Sequence, residues 1–319
     1  MTNLPSQDDI KHAHGLIKSH IRKTPIFSID GAAFGLDQPV DLKLEMLQHS
    51  GSFKARGAFY NLLSRDVPAS GVAAASGGNH GAAVAHAAHK LGHTAKIFVP
   101  EISSPAKIKK IQHAGAEVVV QGEHYADALA LCESHQSNSG AIGLHAYDGF
   151  HTICGQGTLG KELEEQWGDD LPDSLIVAVG GGGLISGLAS WFGQRIKIIA
   201  VEPEQSCALH QAIDKDEPVD VEVGGVAADS LGAKRIGTKG FEILQSKLHE
   251  SVVVSDNAIL RAQATLWHDY HLVTEAGGAT AFAALQSGVY SPPKGEKVAI
   301  VLCGSNVELE KLAQSNDLL

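Results

Sequence analysis

The sequence predicts an α/β protein of two domains, each an open, twisted, largely parallel sheet flanked by helices. Three observations predict it. Short runs rich in Val, Ile and Ala alternate with longer amphipathic stretches along most of the chain, the pattern of α/β units with parallel strands. Most of the short runs are apolar throughout and do not alternate, as strands covered on both faces do. With 319 residues, the chain also exceeds one ordinary domain.

Taken in order, the candidate strands are 40–45, 71–75, 95–99, 116–120, 143–145, 175–179, 196–201, 251–254 and 297–302. Helical patterns fill 55–63, 81–91, 105–113 and 184–193. The polar stretch 214–226 (DKDEPVDVEVGGV) reads as a surface excursion. No internal repeat or linker stands out. The tail after Asn306 is short, so no added C-terminal regulatory domain is expected.

The composition narrows the class of partner. Hydrophobic residues make up 44% and charged residues 19%, which fits a soluble globular protein and not a disordered chain. A formal net charge of -11 disfavours nucleic acid or an anionic membrane as partner. The start, MTNLPSQDDIKHAHG, lacks the basic and apolar stretches of a signal peptide, and no apolar run approaches the ~20 residues of a membrane span. Cys132, Cys154, Cys207 and Cys303 are widely spaced, as expected of reduced thiols in a cytoplasmic protein.

Three loops carry chemistry. The first, SGSFKARG at 50–57, places Lys54 at the start of a helical run. There the positive end of the helix dipole favours a neutral amine, the form that Schiff-base chemistry requires. The second, ASGGNHG at 75–81, joins a buried strand to a helix. Its small residues expose backbone N–H groups that suit a carboxylate or phosphate. Asn79 serves there equally as a helix N-cap or as an amide donor to a ligand.

The third loop is VGGGGLISG at 179–187. Four consecutive glycines cost conformational entropy and persist where the backbone must approach something closely; a phosphate at the following helix start is the natural candidate. Gly181, Gly183 and Ser186 also nearly match a dinucleotide fingerprint, with Glu202 about 20 residues on. Alone, this loop supports a nicotinamide oxidoreductase almost as well as a pyridoxal enzyme.

Together and in this order, the loops resemble the fold-type II pyridoxal-phosphate family of serine and threonine dehydratases, which includes serine racemase. The resemblance spans nearly the whole chain and takes in GQGT at 155–158, VEP at 201–203, EAG at 275–277 and CGSN at 303–306. It implies a tryptophan synthase β-like fold, with a large domain over 1–68 and 150–319 and a small mobile domain over 69–149. The family is usually dimeric. The resemblance makes Lys54 the lysine that carries pyridoxal 5′-phosphate, with Phe53 against the cofactor ring and Asn79 on its hydroxyl. Gly180, Gly181, Gly182, Gly183 and Leu184 bind the phosphate, Cys303 faces the pyridine nitrogen, and Ser76, Asn79 and His80 hold the substrate carboxylate.

Departures from the family pattern sharpen the expectation. A neutral Cys303 thiol cannot deliver a full proton to a pyridine at little cost, which favours prompt loss of a β-leaving group over a long-lived carbanion. Gly77 stands where the racemase branch carries an acid–base serine. Ala208 stands where the cation-binding branch of the family has a carboxylate ligand, so no metal is expected; Glu202 and Ser206 are the candidates that remain, and Glu202 reads equally as a structural carboxylate at a strand end. Asp229 receives no role, and Glu275 is expected to help order the site. The resulting expectation is dehydration and deamination of a β-hydroxy amino acid, L-threonine or L-serine first, to a 2-oxo acid and ammonia. A racemase, a hydroxyaspartate or other hydroxyamino-acid dehydratase, a β-replacement synthase and a non-catalytic amino-acid-binding protein are the alternatives of the same fold.

Overall fold

The computed structural model describes residues 3–308, so the expectation about the tail beyond Asn306 lies, past Glu308, outside the described residues. The chain opens with α1 (Gln7–Ile17), β1 (Ile26–Ile29), β2 (Val40–Lys43) and α2 (Lys54–Leu63). It continues through β3 (Val72–Ala75), α3 (Asn79–Leu91), β4 (Ala95–Val99), α4 (Pro105–His113), β5 (Glu117–Val120), α5 (Tyr125–Ser139) and β6 (Ile142–Gly143). Next come α6 (Phe150–Trp167), β7 (Ser174–Ala178), α7 (Gly183–Phe192), β8 (Lys197–Pro203), α8 (Ala208–Lys215), α9 (Ala228–Leu231) and α10 (Thr238–Lys247). The last elements are β9 (Glu250–Val254), α11 (Asp256–His268), α12 (Ala276–Gln286) and β10 (Val298–Val301).

The strands form two sheets. The larger has the order β1-β2-β10-β7-β8-β9, parallel except for β1, and the smaller is β5-β4-β3-β6, parallel throughout. Strands β3, β7 and β10 are buried along their whole length, as their unbroken apolar runs predict. Every expected strand is present, although β6 shortens to two residues. Strand β1 was not expected. It is an antiparallel edge on which Phe27 and Ser28 are exposed, so it carries no continuous apolar signal. No helix among the described residues is long and apolar enough to cross a membrane.

Parallel pairing brings the chemistry to one end. Strands β2, β10 and β7 run side by side in register, so the loops leaving their carboxyl ends converge on residues 50–54, 302–306 and 179–183. Parallel sheets bind ligands at that end because each strand there feeds a loop and a helix N-terminus.

Beneath these loops lies a cluster of four buried charges. Lys43 Nζ contacts Glu162 Oε1 at 2.6 Å, and Arg56 Nη2 reaches Glu162 Oε2 at 2.9 Å and Glu45 Oε1 at 3.0 Å. Arg56 Nε also pairs with Glu45, and Thr24 donates to Glu162 from its N–H at 3.0 Å. All four charged side chains are almost inaccessible. Burial opposes the charge on Glu162, but Arg56 and Lys43 outweigh it and its pKa falls. Two cations and two carboxylates leave the cluster neutral, which a low-dielectric interior requires.

Removing one member strands the others. Arg56→Met should therefore cost about 3–5 kcal/mol of stability, read as a lowered urea midpoint. A loss below about 1 kcal/mol, the range of a surface pair, would show that the cluster does not hold this end of α2.

Candidate active site

Lys54 is the first residue of α2, as its sequence setting predicts. Its Nζ donates to the carbonyl of Ala146 at 2.8 Å and lies 5.1 Å from the centre of the Phe53 ring. Burial pushes the amine down to about 8, against the opposing pull of Cys303 and Glu275. At neutral pH a pKa near 8 leaves about a tenth of the amine uncharged, against about one part in three thousand for an ordinary lysine.

The tetraglycine turn links β7 to α7. Gly182 has φ of +91°, in the left-handed region where a side chain is strained, and α7 begins at Gly183. The first N–H groups of any helix have no partner within it, so this turn and helix start present a cluster of free donors. Lys54, Phe53, Asn79, Cys303 and the turn all line one cavity, closed further by Tyr147, Ser230, Leu231 and Glu275.

Asn79 stands at the start of α3. Its Nδ2 donates to Glu275 Oε1 at 2.6 Å, and its Oδ1 accepts from Asn306 Nδ2 at 2.5 Å. Burial raises Glu275 to about 7, with the Asn79 amide opposing. Cys303 is raised to about 12, by burial first and then by Glu275; it is a neutral thiol at any ordinary pH. A second cavity of about 270 Å³ opens alongside, with Asp229, Ser230, Glu275 and Lys107 in its walls.

The set fits an aromatic aldehyde phosphate. A low-pKa amine meets the aldehyde, free N–H groups meet the phosphate, and the Phe53 ring and polar side chains border the space between.

Residues 17–304 match the pyridoxal-phosphate dependent enzyme family. The chain belongs to that family. Phenylserine dehydratase of Ralstonia pickettii is 36% identical over 318 residues, which cover 98% of this chain and 97% of the relative. The L-threonine ammonia-lyase of Thermotoga maritima is 33% identical over 312 residues, 96% of this chain and 76% of the relative. Among solved structures, maize serine racemase superposes with a TM-score of 0.91 at 29% identity, covering 98% of this chain and 97% of that one. The serine racemase of Dictyostelium discoideum gives 0.87 at 29%, covering 95% and 99%.

In this pyridoxal-phosphate enzyme the expected carboxylate group is only partly exposed to the cavity. Ser76 Oγ accepts the N–H of Gly78 at 3.3 Å, and the His80 Nε2–H donates to Leu144 O at 2.9 Å. Burial, and then the charge of Lys54, hold His80 down at about 3, so it is a neutral imidazole. Its backbone N–H remains a donor at the start of α3. Glu202 is buried and accepts the N–H groups of Leu209 at 2.8 Å and His210 at 2.7 Å, which caps α8. Ser206 Oγ is bonded to Gly224. No group of three metal-ligating side chains occurs among the described residues.

Sequence reasoning missed the segment 145–148. It follows β6, supplies the Ala146 carbonyl to Lys54 and the Tyr147 ring to the cavity. The signal was available: it is a strand-to-helix turn at the carboxyl end of a parallel strand, like the other two. Asp229, which had no role, pairs with Lys107 of α4 at 2.8 Å, and Ser104 of the same helix start donates to Glu308 at 2.8 Å. Both contacts join the smaller sheet's helices to the rest of the chain.

The amine should titrate accordingly. In the cofactor-free protein, acylation of Lys54 followed by mass spectrometry from pH 6 to 10 should reach half its maximum at about pH 8. Because the Glu275 carboxylate raises this value, Glu275→Gln should move the midpoint lower. A midpoint near that of a solvated lysine would contradict the desolvation.

Proposed function

We propose that the enzyme eliminates water from a β-hydroxy amino acid and that hydrolysis of the resulting enamine, which takes a water back up, releases ammonia and a 2-oxo acid, with L-threonine and L-serine as first substrates. The observation that carries this reading is one desolvated amine, Lys54, sharing a cavity with a glycine phosphate nest and a neutral thiol. The relatives' activities agree with it: dehydratases and ammonia-lyases recur among the most similar curated proteins.

Bound pyridoxal phosphate supplies an electron sink at the substrate Cα. The protein supplies the rest. The free N–H groups at the start of α3 bind the substrate carboxylate, with Glu275 holding the Asn79 amide in place. Neutral Lys54 takes the Cα proton, and the resulting ammonium is received by the Ala146 carbonyl at 2.8 Å. The Cys303 thiol, pushed up to about 12, donates no full proton. Lys107–Asp229 and Ser104–Glu308 join α4 to the larger unit beside the site. The smaller unit, 69–149, is the part that closes against 1–68 and 150–319.

A β-aryl substrate is the second reading. The neighbouring cavity of about 270 Å³ has Val226 and Leu260 in its wall, and a relative matched over 98% of this chain is a phenylserine dehydratase. We also read the enzyme as a cytoplasmic homodimer. All four cysteines are buried and unpaired, in keeping with a reducing compartment, and the dimer follows from the family resemblance.

Purified enzyme should release 2-oxo acid from L-threonine, L-serine or phenylserine, and the preferred one decides between the readings. Lys54→Ala should lower turnover at least about a thousandfold, whereas Cys303→Ser should retain most of it. Formation of D-serine as fast as keto acid, measured by chiral chromatography, would reject elimination as the main reaction.

A further inference from the structure

Four consecutive glycines invite one explanation, the close approach of an anion. The contacts around Gly181 and Gly183 supply another from within the protein. A β-carbon at Gly181 would collide with the ring of Tyr147, 2.5 Å from Cδ2 and nearer still to Cγ and Cδ1. One at Gly183 would lie 2.9 Å from the carbonyl oxygen of Tyr147 and 3.0 Å from its Cα. Two of the four glycines are therefore required by this one residue, before any ligand is considered.

Tyr147 is also fixed from several directions. Its hydroxyl donates to Arg235 O and its N–H to His145 Nδ1, both at 3.3 Å. On one side, Ala146 accepts the Lys54 amine at 2.8 Å. On the other, the Asp148 carboxylate accepts the N–H groups of Thr238 at 3.1 Å and Lys239 at 2.9 Å, at the start of α10. The short segment thus spans the reactive amine, the glycine turn and a third helix, and the Tyr147 ring forms part of the cavity wall they share.

We propose that Tyr147 is the cover of the anion nest: its ring fixes glycine at position 181 and controls how fast the cofactor phosphate enters and leaves. The proposal rests on the nest being the phosphate site. N–H dipoles hold an anion more strongly when water cannot compete for them. A ring lying against the turn excludes that water and must swing aside before a phosphate can pass. The hydroxyl matters less, because a single neutral hydrogen bond of 3.3 Å is weak. Ring and hydroxyl are therefore separable by substitution.

The test is cofactor release from the holoenzyme, followed by absorbance after transfer to a scavenging apo-protein. Tyr147→Ala should release pyridoxal phosphate several-fold, up to about tenfold, faster than the unaltered protein, the effect of losing one partly buried aromatic contact, and Tyr147→Phe should behave like the unaltered protein. Protein reloaded with pyridoxal, which has no phosphate, should show no such difference. Release from Tyr147→Ala within about twofold of the unaltered rate would overturn the cover. Equal retention of pyridoxal and pyridoxal phosphate by the unaltered protein would overturn the phosphate reading itself, and the cover with it. A melting cycle tests the packing claim separately. Gly181→Ala should lower the melting temperature, and Tyr147→Gly in the same chain should restore much of the loss. No restoration would show that Tyr147 does not fix the glycine.

Discussion

A lysine amine can act as a base only while uncharged, and uncharged it must still be held in one place. Lys54 and Arg56 solve this by standing two residues apart on α2. Two helical steps are about 200° of rotation, so one cation faces the cavity and the other the core. In the core Arg56 meets Glu45 and Glu162, whose carboxylates cancel its charge. Without that cancellation its field would act on the amine next door, and the first turn of α2 would have no anchor. The reactive end of the helix is thus set by a neutral cluster on its far side, while burial alone keeps the amine's pKa low.

The same separation of roles explains what was legible in the sequence. The tetraglycine turn, Lys54 at a helix start and the apolar strands are local signals, each carried by adjacent residues whose backbone preferences survive any context. The Arg56 cluster draws on residues 24, 43, 45, 56 and 162, and nothing in a linear reading says that these side chains converge. Lys107 and Asp229 are likewise 122 positions apart and meet only where α4 and α9 come together. Segment 145–148 was hidden for another reason. Its function is carried by a backbone carbonyl and an aromatic ring, neither of which forms a chemical motif. Glu202 is the reverse case, a conspicuous carboxylate at a strand end whose work is structural: it caps a helix.

Charge in the cavity is kept close to balance. Lys54, lowered to about 8, and Glu275, raised to about 7, lie near enough for each to affect the site, and Cys303 adds none. Desolvation moves each group toward its neutral form, so near neutral pH the pocket is ready to exchange a proton with a substrate at small cost. The Asn79 amide sits between Glu275 and Asn306 with both its ends engaged, which fixes the orientation of its oxygen and nitrogen.

Whether such a pocket eliminates or racemises depends on what stands opposite the lysine. The family resemblance puts the second acid–base group at position 77, and here Gly77 has no side chain; its nearest neighbour is the Ser103 hydroxyl, which a β-carbon there would approach to 2.7 Å. That hydroxyl comes from the loop after β4, and among the described residues it has no basic partner. A serine hydroxyl without an adjacent base is a poor acid and a poorer base, so proximity alone does not make Ser103 a second proton carrier. Racemisation requires a proton to return on the face opposite the one it left, whereas elimination needs only its removal and the departure of a β-group. A site with one tuned amine, a bare position 77 and an unactivated hydroxyl beside it is built for the reaction that uses a single base.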